Sequence, residues 1–212
     1  MNLQDHYYYF KGALTPRFCD EIVKYGIAQQ EQLALTGGQT KKISNGENLS
    51  KKDLKDLKKR RDSNIAWLND SWIYKEIQPY IHEANRLAGW NFEWDFSESC
   101  QFTKYKLNQF YDWHCDSWQA PYANKDNPDT LGKIRKLSVT CLLSDPKDYK
   151  GGELEFDFRN MDPDKPTVRK CAEIAERGSI VVFPSHVWHR VKPVTKGIRY
   201  SLVIWNLGYP FK

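Results

Sequence analysis

The order of elements along the chain predicts a mainly β fold (α+β) with N-terminal helices. Helix signals occupy the first part of the chain, and about eight short strands separated by turn residues follow them. The segment Gly152–Phe158 alternates carboxylates with Leu and Phe, which is typical of a strand with one solvated face. We therefore expect a double-stranded β-helix, or jelly roll, with the helices packed on one face of it.

Local signals place the individual elements. Thr15 followed by Pro16 marks the start of a helix, which we expect to end near Leu35, and a polar linker is predicted at Gln39–Ser50. A second helix is predicted at Asp70–Ala88. Strands are predicted at Tyr7–Phe10, Ser63–Trp67, Asn91–Phe96, Gln101–Leu107, Lys136–Leu143, Gly152–Phe158, Ile180–Phe183, Val187–Val191 and Ile198–Trp205.

Length and composition favour one domain covering residues 1–212. Residues 1–96 would form a helical support with the first strands, and residues 97–212 the jelly-roll core. Five cysteines without a C-x-x-C pair argue against a disulfide framework or a cysteine-ligated zinc site. The sequence shows neither a long apolar run nor a signal-peptide pattern, so we expect a cytoplasmic protein without membrane contact.

The net charge of +5 is a mild excess, and much of it lies in the run Lys51–Arg61. Leu54 and Leu57 are three residues apart, so the run is typical of a solvated amphipathic helix. The alternative is a patch for nucleic acid or an acidic partner. The run contains no aromatic residue, which argues against binding of single-stranded nucleic acid.

A candidate metal site begins with His114 and Asp116. In a strand these two side chains project to the same face, because residues two apart point the same way. They supply two thirds of a 2-His-1-carboxylate triad, the ligand set that holds ferrous iron with open positions. His189 is the candidate second imidazole; His186 competes for the role, but a strand turns the two histidines to opposite faces.

Arg199 adds a feature that a bare metal site would not need. It lies ten positions after His189, one strand and one turn later, where a neighbouring strand can bring its guanidinium beside the metal. A planar guanidinium binds a carboxylate through two hydrogen bonds. A keto acid could therefore chelate the metal at one end and pair with Arg199 at the other.

With these residues the chain resembles the Fe(II)/2-oxoglutarate-dependent dioxygenases, and in particular their prolyl 4-hydroxylase-like branch. The resemblance includes G-G-E-L at Gly151–Leu154 and F-P-S at Phe183–Ser185, and it extends over nearly the whole chain. It implies that Fe(II), 2-oxoglutarate and O2 are used, with ascorbate as a reductant. It also implies hydroxylation of prolyl residues in a peptide or protein, coupled to decarboxylation of 2-oxoglutarate to succinate.

The resemblance also implies roles for individual residues. Arg199 and Tyr105 would bind the distal carboxylate of 2-oxoglutarate, and Tyr111 and Trp205 would contact the substrate proline. A second tyrosine that some relatives place on the central strand is Leu142 here, so the co-substrate pocket is expected to be less polar at that point. The long segment Ser117–Lys133 leaves directly from the metal ligands and is predicted to be a flap over the substrate.

Other readings stay open. The same chemistry could act on a lysyl side chain, a free amino acid or a nucleobase, because target choice resides in the flap and the N-terminal segments. A nucleobase target predicts cationic surface at the flap, but the flap balances Lys125 and Lys133 against Asp126 and Asp129. The alternative from another class is a jelly-roll recognition module without catalysis.

Overall fold

The computed structural model of the protein describes residues 5–117, 120–158 and 168–211. In these residues there are four α-helices: α1 Pro16–Ala28, α2 Gly37–Ser44, α3 Lys51–Arg60 and α4 Ser71–Leu87. The strands are β1 Tyr8–Phe10, β2 Gln32–Leu33, β3 Arg61–Asp62, β4 Asn64–Leu68, β5 Phe96–Ser97, β6 Cys100–Tyr105, β7 Phe110–His114, β8 Ile134–Leu142, β9 Tyr149–Gly151, β10 Leu154–Asp157, β11 Val168–Lys170, β12 Ile180–Pro184, β13 Trp188–Val191, β14 Val194–Gly197 and β15 Arg199–Gly208.

Two antiparallel sheets face each other. The major sheet has the order β1-β12-β8-β15-β6-β4-β2, with β5 paired to the end of β15, and the minor sheet has the order β11-β10-β13-β7-β3. A two-stranded ribbon of β9 and β14 lies beside them. The mainly β architecture with N-terminal helices is the one predicted from the sequence.

Alternating side chains divide the interior into two cores. On β12, Ile180 and Val182 face α1 and α4, whereas Val181 and Phe183 face the minor sheet. Ile73, a member of the first core, is fully buried on α4. α1 and α4 therefore cover the outer face of the major sheet, and the space between the sheets is left for the second core and the candidate site.

Strands from the N-terminal part of the chain join both sheets. β1, β2 and β4 extend the major sheet, and β3 forms the edge of the minor sheet beside β7. α3 leads directly into β3 and lies against β7. The segment before residue 97 thus supplies one border of the region that holds the candidate ligands.

Three local predictions are wrong. The first helix ends at Ala28, not near Leu35, because Gln32 and Leu33 pair with β4 at the edge of the major sheet. Part of the predicted polar linker is helical, as α2. Of the strand predicted at Asn91–Phe96, only Phe96 lies in a strand, and Asn91 at its predicted start has a φ of 50°, which extended backbone does not allow.

The four buried cysteines, Cys19, Cys100, Cys141 and Cys171, are free thiols. Among the described residues, no helix combines the length and the apolar composition that crossing a bilayer requires.

Candidate metal centre

Three candidate ligands converge between the sheets. His114 is the last residue of β7, and His189 lies opposite it on β13. Asp116 follows two residues after the end of β7. One ligand atom from each side chain lies within 4.8 Å of the other two, so a single metal ion could bind all three. His186 is exposed and lies outside this cluster.

Both imidazoles are oriented by the backbone. Nδ1 of His114 lies 2.7 Å from the carbonyl oxygen of Asp112, and Nδ1 of His189 lies 3.0 Å from that of Val187. A carbonyl accepts a hydrogen bond, so Nδ1 donates and Nε2 keeps its lone pair. The Nε2 atoms lie 3.8 and 3.6 Å from the two carboxylate oxygens of Asp116. This is the orientation that a metal-binding histidine needs.

Asp116 lies beyond the strand, and two serines hold it in place. Its backbone N–H donates to the carbonyl oxygen of Ser185 at 2.9 Å. The Ser138 hydroxyl donates to Oδ2 of Asp116 at 2.7 Å and lies 2.9 Å from the Ser185 hydroxyl. The carboxylate is therefore directed at the imidazoles by contacts from β8 and from the residue that follows β12.

Burial and neighbouring charges set the protonation states. Burial is the main cause that brings the pKa of His114 well below its usual value, and His189 adds to the effect. Burial raises the pKa of Asp116, but His189, His114 and Arg135 outweigh it, and the pKa lies below its usual value. A neutral imidazole beside an ionised carboxylate is the state that binds a divalent cation.

A bulge in β7 shapes the site next to the ligands. Two residue steps on β13, from His189 to Val191, correspond to three on β7, from His114 back to Tyr111. The bulge brings Tyr111 and His114 to the same face, and their rings stack with centroids 3.5 Å apart and an interplanar angle of 12°.

The other face of Tyr111 is covered by Arg61, whose role no sequence motif indicates. The guanidinium carbon of Arg61 lies 4.4 Å from the ring centroid of Tyr111, and two planar groups this close cannot share one face. The ring is thus enclosed by Arg61 and His114, so a substrate could reach only its edge and its hydroxyl. Burial raises the pKa of Tyr111 to about 12, so the hydroxyl keeps its proton.

Arg199 is a buried cation. The residue is the first of β15 and is 1% exposed. One guanidinium nitrogen donates to the Ser201 hydroxyl at 3.1 Å, and within the described part of the chain Nε has no hydrogen-bond partner. No described carboxylate lies within ion-pair distance of this guanidinium. Burying an unpaired charge is costly, so the arrangement suits an anionic ligand.

Tyr105 and Leu142 border Arg199. Tyr105 is opposite Arg199 in the antiparallel register, and its ring centroid lies 5.6 Å from the guanidinium carbon. Leu142 and Arg199 line a cavity of about 180 Å3, together with Gly152 and Leu154. The triad does not line this cavity, which therefore opens next to Arg199 and not over the candidate ligands.

Trp205 lies in a second cluster of polar and aromatic side chains. The guanidinium carbon of Arg135 lies 3.8 Å from its ring centroid, and Arg135 forms an ion pair with Glu98. Glu98 also accepts a hydrogen bond of 2.7 Å from the Tyr122 hydroxyl, which ties the predicted flap to the major sheet. Of the predicted flap, Trp118 and Gln119 lie outside the described residues.

Four contributors to the site were missed in the sequence: Arg61, Ser138, Ser185 and Arg135. Arg61 appeared to end a run of surface lysines, and only its pairing with β7 shows that it is 4% exposed. Ser185 belongs to the quoted F-P-S segment, but no role was assigned to it. Ser138 and Arg135 act through contacts across strands that spacing along the chain does not reveal.

The comparison with protein families decides the classification. A profile of the 2OG-Fe(II) oxygenase superfamily matches residues 100–206, the segment that contains the triad and Arg199. The chain belongs to this superfamily. The PKHD-type hydroxylase YbiX of Escherichia coli O157:H7 is 33% identical over 104 residues, which are 49% of this chain and 40% of that relative. The match thus covers less than half the length of this relative.

Solved structures share the fold of this 2OG-Fe(II) oxygenase. The viral collagen prolyl hydroxylase of Paramecium Bursaria Chlorella virus-1, solved with 2OG, aligns with a TM-score of 0.63 and 18% identity over 97% of both chains. A prolyl hydroxylase from Trichoplax adhaerens, solved with a hypoxia inducible factor peptide, aligns with a TM-score of 0.59 and 16% identity. That alignment covers 96% of this chain and 84% of the Trichoplax chain. At such identities the likeness establishes the double-stranded β-helix fold.

Proposed function

We propose that the protein is a dioxygenase that uses Fe(II), 2-oxoglutarate and O2 to hydroxylate prolyl residues in a peptide or protein. The observation that carries the proposal is a buried arginine for which the described residues offer no counter-ion, in the same interior as a 2-His-1-carboxylate cluster. A metal site alone does not need that arginine. A co-substrate with a keto acid at one end and a carboxylate at the other accounts for both features.

The residues present fit the metal and the co-substrate. His114, Asp116 and His189 would hold Fe(II) through two Nε2 atoms and one carboxylate, which leaves positions open for other ligands. Arg199 would pair with the distal carboxylate of 2-oxoglutarate, and Tyr105 would contact the same group. When bound, Fe(II) with 2-oxoglutarate supplies the activation of O2, with one oxygen atom going to succinate and one to the substrate.

The chain's own residues orient the metal ligand Asp116 and form the surface that contacts the substrate. Ser138 and Ser185 keep the carboxylate of Asp116 directed at the imidazoles. Tyr111, held between Arg61 and His114, would present its edge and hydroxyl to the substrate. Trp205, which is 6% exposed, would form an apolar wall beside the target ring.

A prolyl target is supported by the relatives. The viral and Trichoplax structures compared above are prolyl hydroxylases by name, the second bound to a peptide, and the E. coli relative is named a hydroxylase. We further propose that residues 1–212 act as a single domain, because strands from both parts of the chain share each sheet. The free thiols of Cys19, Cys100, Cys141 and Cys171 favour a reducing compartment, so we place the protein in the cytoplasm.

The test is turnover of proline-containing peptides with Fe(II), 2-oxoglutarate, ascorbate and air, followed by succinate release and peptide mass. We expect succinate and a peptide that gains one oxygen atom on proline, in equal amounts. Oxygen found only on lysine, a free amino acid or a nucleobase would support the dioxygenase reaction but contradict the prolyl target. No succinate with any substrate, from a protein that holds the metal, would favour a recognition module.

A further inference from the structure

The net charge of the protein is concentrated in one segment. Seven of the residues Lys51–Arg61 are Lys or Arg and two are Asp, so this segment alone carries +5, which is the net charge of the whole chain. The rest of the chain balances 25 basic against 25 acidic side chains. Arg61 belongs to β3, so α3 itself, with six basic and two acidic residues, carries +4, and it is the most basic element of a chain that is otherwise close to neutral.

The lysines of α3 form one face. Ser50 caps the helix in a capping box with Asp53, and Leu57 is fully buried and anchors the opposite side. At 3.6 residues per turn, five lysines fall within an arc of about 120° along a helix about 15 Å long. All five are exposed: Lys51, Lys52, Lys55, Lys58 and Lys59. We name this surface the lysine face.

The carboxylates of α3 neutralise only one of the five lysines of the lysine face. Asp53 forms an ion pair with Lys42 at 2.8 Å, and Asp56 forms one with Lys59 at 3.0 Å. In the described parts of the chain, Lys51, Lys52, Lys55 and Lys58 have no acidic side chain within ion-pair distance. Like charges held together on one helix repel each other, so the face favours an anionic partner.

The C-terminal end of α3, and with it one end of the lysine face, lies beside the candidate active site. α3 ends at Arg60, and the next residue, Arg61, covers the ring of Tyr111, which in turn stacks on His114. β3 is the edge strand of the minor sheet, so no further strand among the described residues separates α3 from that border. A polypeptide that places one residue at the metal centre and leaves over this edge would pass along α3.

We propose that the lysine face of α3 docks an acidic polypeptide segment that flanks the target residue of the substrate. This inference rests on the proposed function. A polypeptide is favoured over nucleic acid because Lys51–Arg61 contains no aromatic side chain on which bases could stack. Leu54, 37% exposed between the lysines and the protein body, offers an apolar contact that suits a peptide.

The first test measures binding without turnover. Two labelled peptides share a proline-containing core and differ in one flank, which is a run of glutamates in one and of glutamines in the other. In fluorescence anisotropy at about 0.1 M salt, we expect the glutamate peptide to bind at least about tenfold more tightly. At about 1 M salt, where charges are screened beyond about 3 Å, the difference should disappear.

Two variants with equal charge change locate the contact. The first removes the lysine face with Lys51→Gln, Lys52→Gln, Lys55→Gln and Lys58→Gln, which spares the Lys59–Asp56 pair. The control removes four exposed lysines on other elements, with Lys11→Gln, Lys24→Gln, Lys75→Gln and Lys147→Gln. We expect only the first variant to lose the preference for glutamate. Equal losses in both variants, or no loss in the first, would overturn the proposal.

Kinetics and a nucleic-acid probe separate the remaining outcomes. The lysine-face variant should raise KM for the glutamate peptide about tenfold while kcat and KM for 2-oxoglutarate stay at wild-type values. If no peptide is hydroxylated but the glutamate peptide still binds through α3, the proposed function fails and the docking surface stands. If both peptides bind alike, the docking proposal fails, whatever the turnover. Tighter binding of oligothymidylate than of the glutamate peptide would contradict the proposal and indicate that the partner of the lysine face is a nucleic acid.

Discussion

The side chain of Arg199 passes through space that a glycine leaves free. Gly152 has a φ of +65°, and a Cβ atom added to it would lie 2.7 Å from Cδ of Arg199 and 3.0 Å from Cγ2 of Val194. Carbon atoms pack best at about 3.5 to 4.0 Å, so Gly152→Ala must push the arginine by about 1 Å. The guanidinium would then leave the position from which it pairs with a carboxylate.

The size of the effect follows from the hydrogen bonds at stake. A bond to a charged group contributes about 1.5 to 3 kcal/mol, and a shift of about 1 Å takes at least one guanidinium contact out of range. We therefore expect Gly152→Ala to weaken 2-oxoglutarate binding roughly ten- to a hundredfold. Metal binding should stay at the wild-type level, because Gly152 does not contact the triad among its near neighbours.

Gly89→Ala is the matched control. Gly89 has a φ of +69°, and nothing lies within 4 Å of an added Cβ. Both variants carry the backbone strain of alanine in a left-handed conformation, about 1 to 2 kcal/mol, so both should unfold at a lower temperature. Only Gly152→Ala should weaken the binding of 2-oxoglutarate, as measured by calorimetric titration of the Mn(II)-loaded protein. Wild-type affinity in Gly152→Ala, or equal weakening in Gly89→Ala, would show that 2-oxoglutarate binding does not depend on the space that Gly152 leaves for Arg199.

Four further predictions concern the site itself. Asp116→Ala should abolish succinate formation and divalent-metal binding; turnover at the wild-type rate would remove its assigned role. His189→Ala should also lose the metal, whereas His186→Ala, at an exposed position, should keep it, and the reverse pattern would reassign the second imidazole. Arg199→Ala should weaken the binding of 2-oxoglutarate by at least about thirtyfold in titrations, with Mn(II) affinity unchanged. Ser138→Ala, which removes the 2.7 Å hydrogen bond to Asp116, should weaken metal binding by about tenfold; an unchanged metal affinity would show that the bond does not orient the carboxylate.

The sequence predicted the parts of the fold that local patterns encode. Strands with clear alternation or β-branched runs, such as β10 and β12, appear where they were expected. The first helix was predicted too long because Gln32 pairs with β4, a strand far away in the sequence, and this pairing overrides the local helix signal. Tertiary contacts of this kind leave no trace in spacing along the chain.

The same limit explains what was missed at the candidate site. The alternation of side chains in a strand predicted that His114 and Asp116 share a face. Asp116 in fact lies beyond β7, and its backbone N–H donates to the carbonyl oxygen of Ser185. Arg61 follows a run of lysines and resembles them in sequence, yet its place at the edge of the minor sheet buries it against Tyr111. Only the pairing of distant strands distinguishes the two environments.

The most direct test of the account is a crystal structure of the protein with Mn(II) and 2-oxoglutarate, with the metal located by its anomalous scattering. We predict one peak between Nε2 of His114, Nε2 of His189 and the Asp116 carboxylate, with 2-oxoglutarate extending from it to the guanidinium of Arg199. A metal bound elsewhere, or a co-substrate whose distal carboxylate avoids Arg199, would contradict the assignment of this site.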